Sequence, residues 1–187
     1  SIGGTNYNFN NGIFLGTSLQ FGAVNGTASS IKGAVWNASG TNHYRFAIYN
    51  NGGSTPPSET AYPDSLVANS DSGSLTVART TKPTQDSEWT GANISASLTA
   101  NAYYWLCGDQ DNTSLNIARD NGDANSGGVG NLSYASFPSD PAPALSTHNA
   151  FKFSIYCTYT AGASSAIKTI NGLAAASWKT WNGLIRA

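Results

Sequence analysis

FKFSIYCTY, residues 151–159, decides the fold class of this 187-residue chain. Phe151, Phe153, Ile155, Cys157 and Tyr159 occupy every second position, with Lys152, Ser154, Tyr156 and Thr158 between them. Side chains along a strand alternate between its two faces, so the first set lines a buried face and the other set points outward. The stretch reads as a β-strand with one face in a core.

Working outward, the same rhythm recurs. Residues 102–107 (AYYWLC) form the most apolar run of the body and read as a central strand. Residues 31–36 and 44–49 are strands too; in the latter, Tyr44, Phe46 and Ile48 alternate with Arg45, Ala47 and Tyr49. Further strands are expected at 66–68, 74–78, 89–98 and 114–118, with a weaker one at 132–137. Residues 50–63 (NNGGSTPPSETAYP) are so dense in breakers that regular structure is not expected there, and 119–130 and 138–149 are further loops. No window carries helical periodicity. About eight to ten short strands with turns between them predict an all-β fold, an antiparallel jelly-roll-like β-sandwich.

The expected organisation has four parts. Residues 1–30 hold an N-terminal arm and the first strands, 31–160 the sandwich body, 161–166 a short linker, and 167–187 a β-hairpin or strand extension. That extension is one unit written twice, IKTINGLAAAS and then WKTWNGLIRA. Asn171-Gly172-Leu173 recurs as Asn182-Gly183-Leu184, and Ile167 and Ile170 are answered by Trp178 and Trp181. Asn-Gly between short apolar runs is the strongest local hairpin signal, because a type I′ turn needs positive φ at both central residues. An isolated two-stranded hairpin is marginal in water, so this tail must dock on its own body or on another molecule.

Composition bounds the function. Charged residues make up 10% of the chain and the formal charge is −1, which excludes bulk electrostatic attraction to nucleic acid or to an anionic membrane. No apolar run approaches the roughly 18 residues of a membrane span. Seven Phe, nine Tyr and five Trp are enough to fill a core despite the Ser, Thr, Asn and Gly content. The chain has no Met and opens Ser-Ile-Gly-Gly, which predicts a mature chain freed of a signal peptide or a fragment of a longer protein. An extracellular, secreted location is expected.

The body resembles a known architecture. RFAIYNNGG, a variable loop, SLTANAYYWLCGDQDN and the closing FKFSIY strand together resemble jelly-roll β-sandwich modules of secreted bacterial surface proteins, whose relatives include carbohydrate-binding modules. The likeness spans residues 31–159. The tail separately resembles the tandem Asn-Gly hairpin repeats that end many secreted and phage-tail-associated proteins.

Several residues are candidates for chemistry or binding. Cys107 and Cys157 each end an aromatic run, and a disulfide between neighbouring strands is expected, the other reading being two buried free thiols. Asp109 and Asp111 after the aromatic strand, with Asp120 and Asp123 in the next loop, are a candidate Ca²⁺ site, although turn chemistry alone also places Asp there. No cofactor is required. Trp36 and Trp89 are candidates for stacking on a glycan. His43 and His148 sit in no catalytic motif, no nucleophile elbow or metalloprotease signature occurs, and no catalytic residues are assigned.

The expected function is therefore a non-enzymatic extracellular structural subunit. It would polymerise with copies of itself, as a filament or surface assembly, by donating its tail as a strand, with Ile167, Ile170, Leu173, Trp178, Trp181 and Leu184 at the interface. A carbohydrate-binding module that takes polysaccharide is the first alternative, and a phage tail or fibre protein on a virion surface is another. Neither nucleic acid nor a membrane span enters any of these readings.

Overall fold

The computed structural model describes residues 3–9, 13–37, 40–111, 114–135, 137 and 142–162, together with the backbone of four two-residue strands in the tail. Among the described residues fourteen strands make the body: β1 (Thr5–Phe9), β2 (Ile13–Gln20), β3 (Gly26–Gly33), β4 (Val35–Asn37), β5 (Asn42–Gly53), β6 (Ala61–Leu66), β7 (Leu75–Val77), β8 (Thr90–Leu98), β9 (Tyr103–Gln110), β10 (Leu115–Asn121), β11 (Gly127–Asn131), β12 (Leu145–Asn149), β13 (Phe151–Phe153) and β14 (Ile155–Ala161). A single turn of 3₁₀ helix spans Asp86–Glu88. Among the described residues no helix is long and apolar enough to cross a membrane. The protein is an all-β antiparallel sandwich.

One layer is a seven-stranded sheet in the order β12-β11-β2-β9-β5-β6, with β7 paired to the start of β5. β9 lies at its centre, as its apolar run requires, and is buried along almost its whole length. The other layer holds β1 and β10 with β4 and β13, and the three-stranded set β14-β3-β8. The main core fills the space between the layers. Leu15, Tyr44, Phe46, Ile48, Tyr104 and Leu106 of the seven-stranded sheet pack there with Ile31, Val35, Leu115, Ile117, Phe153 and Ile155 of the opposing layer. These are the even positions of β5 and β9 and the odd positions of β10, β13 and β14, as a period of two demands.

The odd positions of β5 and β9 face the other way, and the central ones are buried as well. Ala47, Tyr49, Trp105 and Cys107 join Phe14, Ala61 and Phe137 in a separate inner core. It exists because the seven-stranded sheet curls until its two outer strands meet. His148 Nε2 donates to Ala61 O at 2.7 Å, and Ala142 N–H donates to Asp64 O at 2.8 Å. Phe137 plugs the trough, with its ring 6.2 Å from Phe14 and 6.0 Å from Tyr49, both edge to face. The described residues of 132–137 form no strand, and Phe137 among them is a stopper.

FKFSIYCTY is split between two sheets. β13 runs beside β10, with Arg119 opposite Phe153, and then turns away at Ser154 to pair with β3 as β14. β3 does the converse, turning at Ala34 onto the same edge of β10 as β4. Three backbones meet there in a closed ring of hydrogen bonds: Ala34 N–H to Ser154 O at 2.9 Å, Ser154 N–H to Ala118 O at 2.8 Å, and Ala118 N–H to Ala34 O at 3.0 Å. Every backbone donor and acceptor of this fork finds a partner, which is what allows a sheet to branch inside a core. The three residues are small because three chains converge on one point. Ala118→Leu is expected to overpack the fork by about 1–3 kcal/mol. That corresponds to a fall in melting temperature of about 2–4 °C per kcal/mol for a chain of this size, measured by calorimetry; an unchanged midpoint would refute the packing argument.

The described part of the first thirty residues is built into the sandwich. β1 pairs with β10, and β2 is an inner strand whose Phe14 and Leu15 are fully buried. The breaker-rich stretch 50–63 is more regular than its composition implies, contrary to expectation. β5 runs on to Gly53 and β6 begins at Ala61, with Gly52 opposite Tyr62. A Cβ on Gly52 would lie 2.5 Å from the Tyr62 ring, and Gly53 adopts φ +66°. The glycines that look like breakers let an aromatic ring cross the hairpin and the chain turn back.

Candidate functional site

The two tryptophans that are candidates for glycan stacking cover the fork. Trp36 and Trp89 are 6% and 8% exposed and pack with Ala34 and Ala118. Tyr156 completes the cover, its ring 5.0 Å from that of Trp89 and edge-on to it. Rings buried in this way offer no open face to a sugar, so neither Trp36 nor Trp89 is the expected stacking platform. Arg79 and Glu88 brace the same region at 2.6 Å. Thr84 N–H donates to Glu88 at 2.5 Å, and this bond, helped by Arg79, lowers the Glu88 carboxyl to about 2.

The four acidic candidates do not converge. β10 separates them: Asp109 and Asp111 precede it, and Asp120 and Asp123 sit at its far end, about 20 Å away for a strand of this length. Asp111 accepts from His43 N–H at 2.8 Å and lies 2.6 Å from His43 Nδ1. Asp120 accepts from Gly4 N–H at 2.7 Å, and Asp123 lies 3.8 Å from Lys152 Nζ. Among the described residues no group of three or more His, Cys, Asp or Glu side chains is placed to hold a metal ion. Asp109, Asp111, Asp120 and Asp123 are therefore not brought together as the candidate Ca²⁺ site.

The expected disulfide is not formed; both cysteines are free. Cys107 points into the core inside the curled sheet, whereas Cys157 packs against the core between the layers. β9 and β14 contain similar aromatic runs but belong to different layers, and the two thiols lie on opposite faces of the seven-stranded sheet. Burial raises the pKa of both thiols, Cys107 the more strongly.

Asp109 has a role that its loop-like sequence context concealed. β9 continues to Gln110, so positions 105, 107 and 109 share one face and the carboxyl enters the inner core. It is fully buried, and its Oδ1 accepts from Gln110 N–H at 2.8 Å while Oδ2 has no hydrogen-bond partner among the described residues. Arg45 stands opposite Asp109 in the ladder, but its guanidinium is committed to Asp71, with Nη2–Oδ2 at 2.7 Å. Burial pushes the Asp109 carboxyl up to about 7 against the opposing pull of the Gln110 N–H and Arg45. The period-two pattern of YYWLCGDQ, extended by two residues, would have shown this placement.

In the tail, β15 (Thr169–Ile170) pairs with β16 (Leu173–Ala174), and β17 (Thr180–Trp181) with β18 (Leu184–Ile185). Ile170 stands opposite Leu173 and Trp181 opposite Leu184, so in each copy the strands flanking Asn-Gly pair with one another. Ile167 and Trp178 lie outside the described residues. Each ribbon pairs with itself and with no described strand of the body. Comparison of the chain with protein-family models, with curated proteins and with solved structures found no match to any of them.

Proposed function

We propose that this protein is a non-enzymatic structural subunit that assembles with copies of itself outside the cell, its duplicated tail adding as strand to a neighbour. The observation that supports this reading is the pairing of the tail. Among the described residues two ribbons, each of two residue pairs, join none of the body's sheets. So small a ribbon is not stable alone, and burial of each large apolar side chain contributes roughly 1.5–3 kcal/mol. Ile170, Leu173, Trp181 and Leu184 therefore find their stabilisation on a partner. A tail that engages a different patch on the next copy makes a head-to-tail contact, which propagates as a filament unless the rotation closes a ring. A formal charge of −1 opposes such dense packing very little.

The test is truncation after Gly162, which leaves β14 whole. The full chain is expected to form particles many subunits in size by light scattering and negative-stain imaging, and the truncated chain to remain monomeric with an unchanged melting temperature. Equal assembly by the two proteins would overturn the proposal.

A further inference from the structure

We infer that the acceptor for the tail is the outer edge of β14 in another copy, together with the apolar groove beside it. This rests on the assembly reading above and names its missing half. Two of the other edges are partly engaged. β6 is bonded to β12 through the His148 side chain and to the segment before β12 through Ala142 N–H. β8 has its outer Ser95 N–H taken by Asn69 O at 3.1 Å. β14 pairs with β3 on one side, and among the described residues no strand pairs with the other. It is a seven-residue edge, Ile155–Ala161, that offers a ladder to an incoming strand.

Beside that edge the two layers part. Leu19, Phe21 and Leu106 from the seven-stranded sheet face Ile155, Cys157 and Tyr159 of β14 across a groove of about 310 Å³. Among the described residues no charged side chain lines it. Tyr159 stays 47% exposed even though its ring rests 4.8 Å from that of Phe21. An open edge above a slot leading to the main core is what strand addition requires: ladder hydrogen bonds for affinity, and a pocket for alternate apolar side chains.

The occupant is the tail of another copy. The tail supplies short strands with apolar residues in their ladder pairs and an interval of eleven residues between repeats. β14 is followed by Gly162, whose N–H is held by Asn25 O at 2.7 Å, so the chain's own tail would reach this edge only by turning back into a hairpin with the strand it continues, whereas a neighbour's tail needs no such turn.

Cys157 is a native reporter of this groove, because the other thiol, Cys107, is fully buried in the separate inner core. The experiment follows alkylation of Cys157 by mass spectrometry in the full chain, dilute and assembled, and in the chain truncated after Gly162. In parallel, full-length Leu184→Cys is mixed with wild type carrying a mass label and oxidised. Assembly is expected to slow Cys157 labelling by at least tenfold. The oxidised mixture is expected to contain disulfides joining the thiol introduced by Leu184→Cys to Cys157 of a differently labelled copy. If the full chain assembles and truncation abolishes assembly, but Cys157 labels at the dilute rate, the acceptor lies elsewhere while the assembly reading stands. Links formed only within one copy would also overturn the inference, since the chain's own tail then fills the groove. A full chain that never assembles removes both.

Discussion

Trp105→Ala is expected to remove about 3–5 kcal/mol of stability, the range for deleting a large buried aromatic side chain. Trp105 is fully buried at the centre of the inner core, and the curl of the sheet leaves its surroundings little freedom to collapse into the space vacated. Gly16, opposite Cys107 in the neighbouring strand, is shaped to it: a Cβ there would lie 3.1 Å from the Trp105 ring. The indole N–H donates to Asn51 Oδ1 at 2.8 Å, and truncation leaves that acceptor without its donor. Domains are stable by only about 5–15 kcal/mol, so the variant stands near the folding threshold. Urea denaturation followed by far-ultraviolet circular dichroism measures the loss. Trp105→Phe, which fills most of the space, separates cavity from hydrogen bond and should cost much less. A loss below about 1 kcal/mol for Trp105→Ala would mean that the inner core contributes little beside the main one.

The other large effect is on pH dependence. The Asp109 carboxyl moves from an ordinary 3.8 to about 7 on folding. A folded state that holds a proton the unfolded chain releases is favoured at low pH, so this group's contribution is complete below about pH 4 and is lost as pH rises through 7. About three pH units at 1.36 kcal/mol each give an effect of the order of 4 kcal/mol. Glu88 acts oppositely and in another window. Its carboxyl is lowered from 4.5 to about 2, so its contribution is present above pH 4.5 and fades as pH falls towards 2. Stability is therefore expected to peak at about pH 4–5 and decline towards about pH 8. Asp109→Asn, neutral throughout, should flatten the decline between about pH 4 and 7 while leaving the acid limb in place. An unchanged slope in that window would show that Asp109 is ionised in the folded protein.

Much of the sandwich was legible in residue order alone. The alternation in FKFSIYCTY and in YRFAIY sets which side chains enter a core, and the structure places Phe46, Ile48, Phe153 and Ile155 there. The Asn-Gly pairs read as hairpin signals, and the short strands on either side of each do pair with one another. The failures share one cause. A pattern with a period of two says that a face is buried, yet it cannot say against what. Trp36 and Trp89 are candidates for stacking because they lie outside the strongest core runs; the fork of Ala34, Ala118 and Ser154, which are remote from one another in the chain, gives them their cover. Cys107 and Cys157 terminate similar runs, but they belong to strands of different layers and face different cores.

Local chemistry, then, determined strands, turns and the sidedness of each strand, because those follow from backbone sterics and side-chain alternation over a few residues. Only the tertiary structure decided that the sheet would curl, that two strands would change partners at one point, that Asp109 would be enclosed and that β14 would be left open. Each of those depends on which distant segment arrives beside which, and that is fixed by the packing of whole layers rather than by any short run of residues.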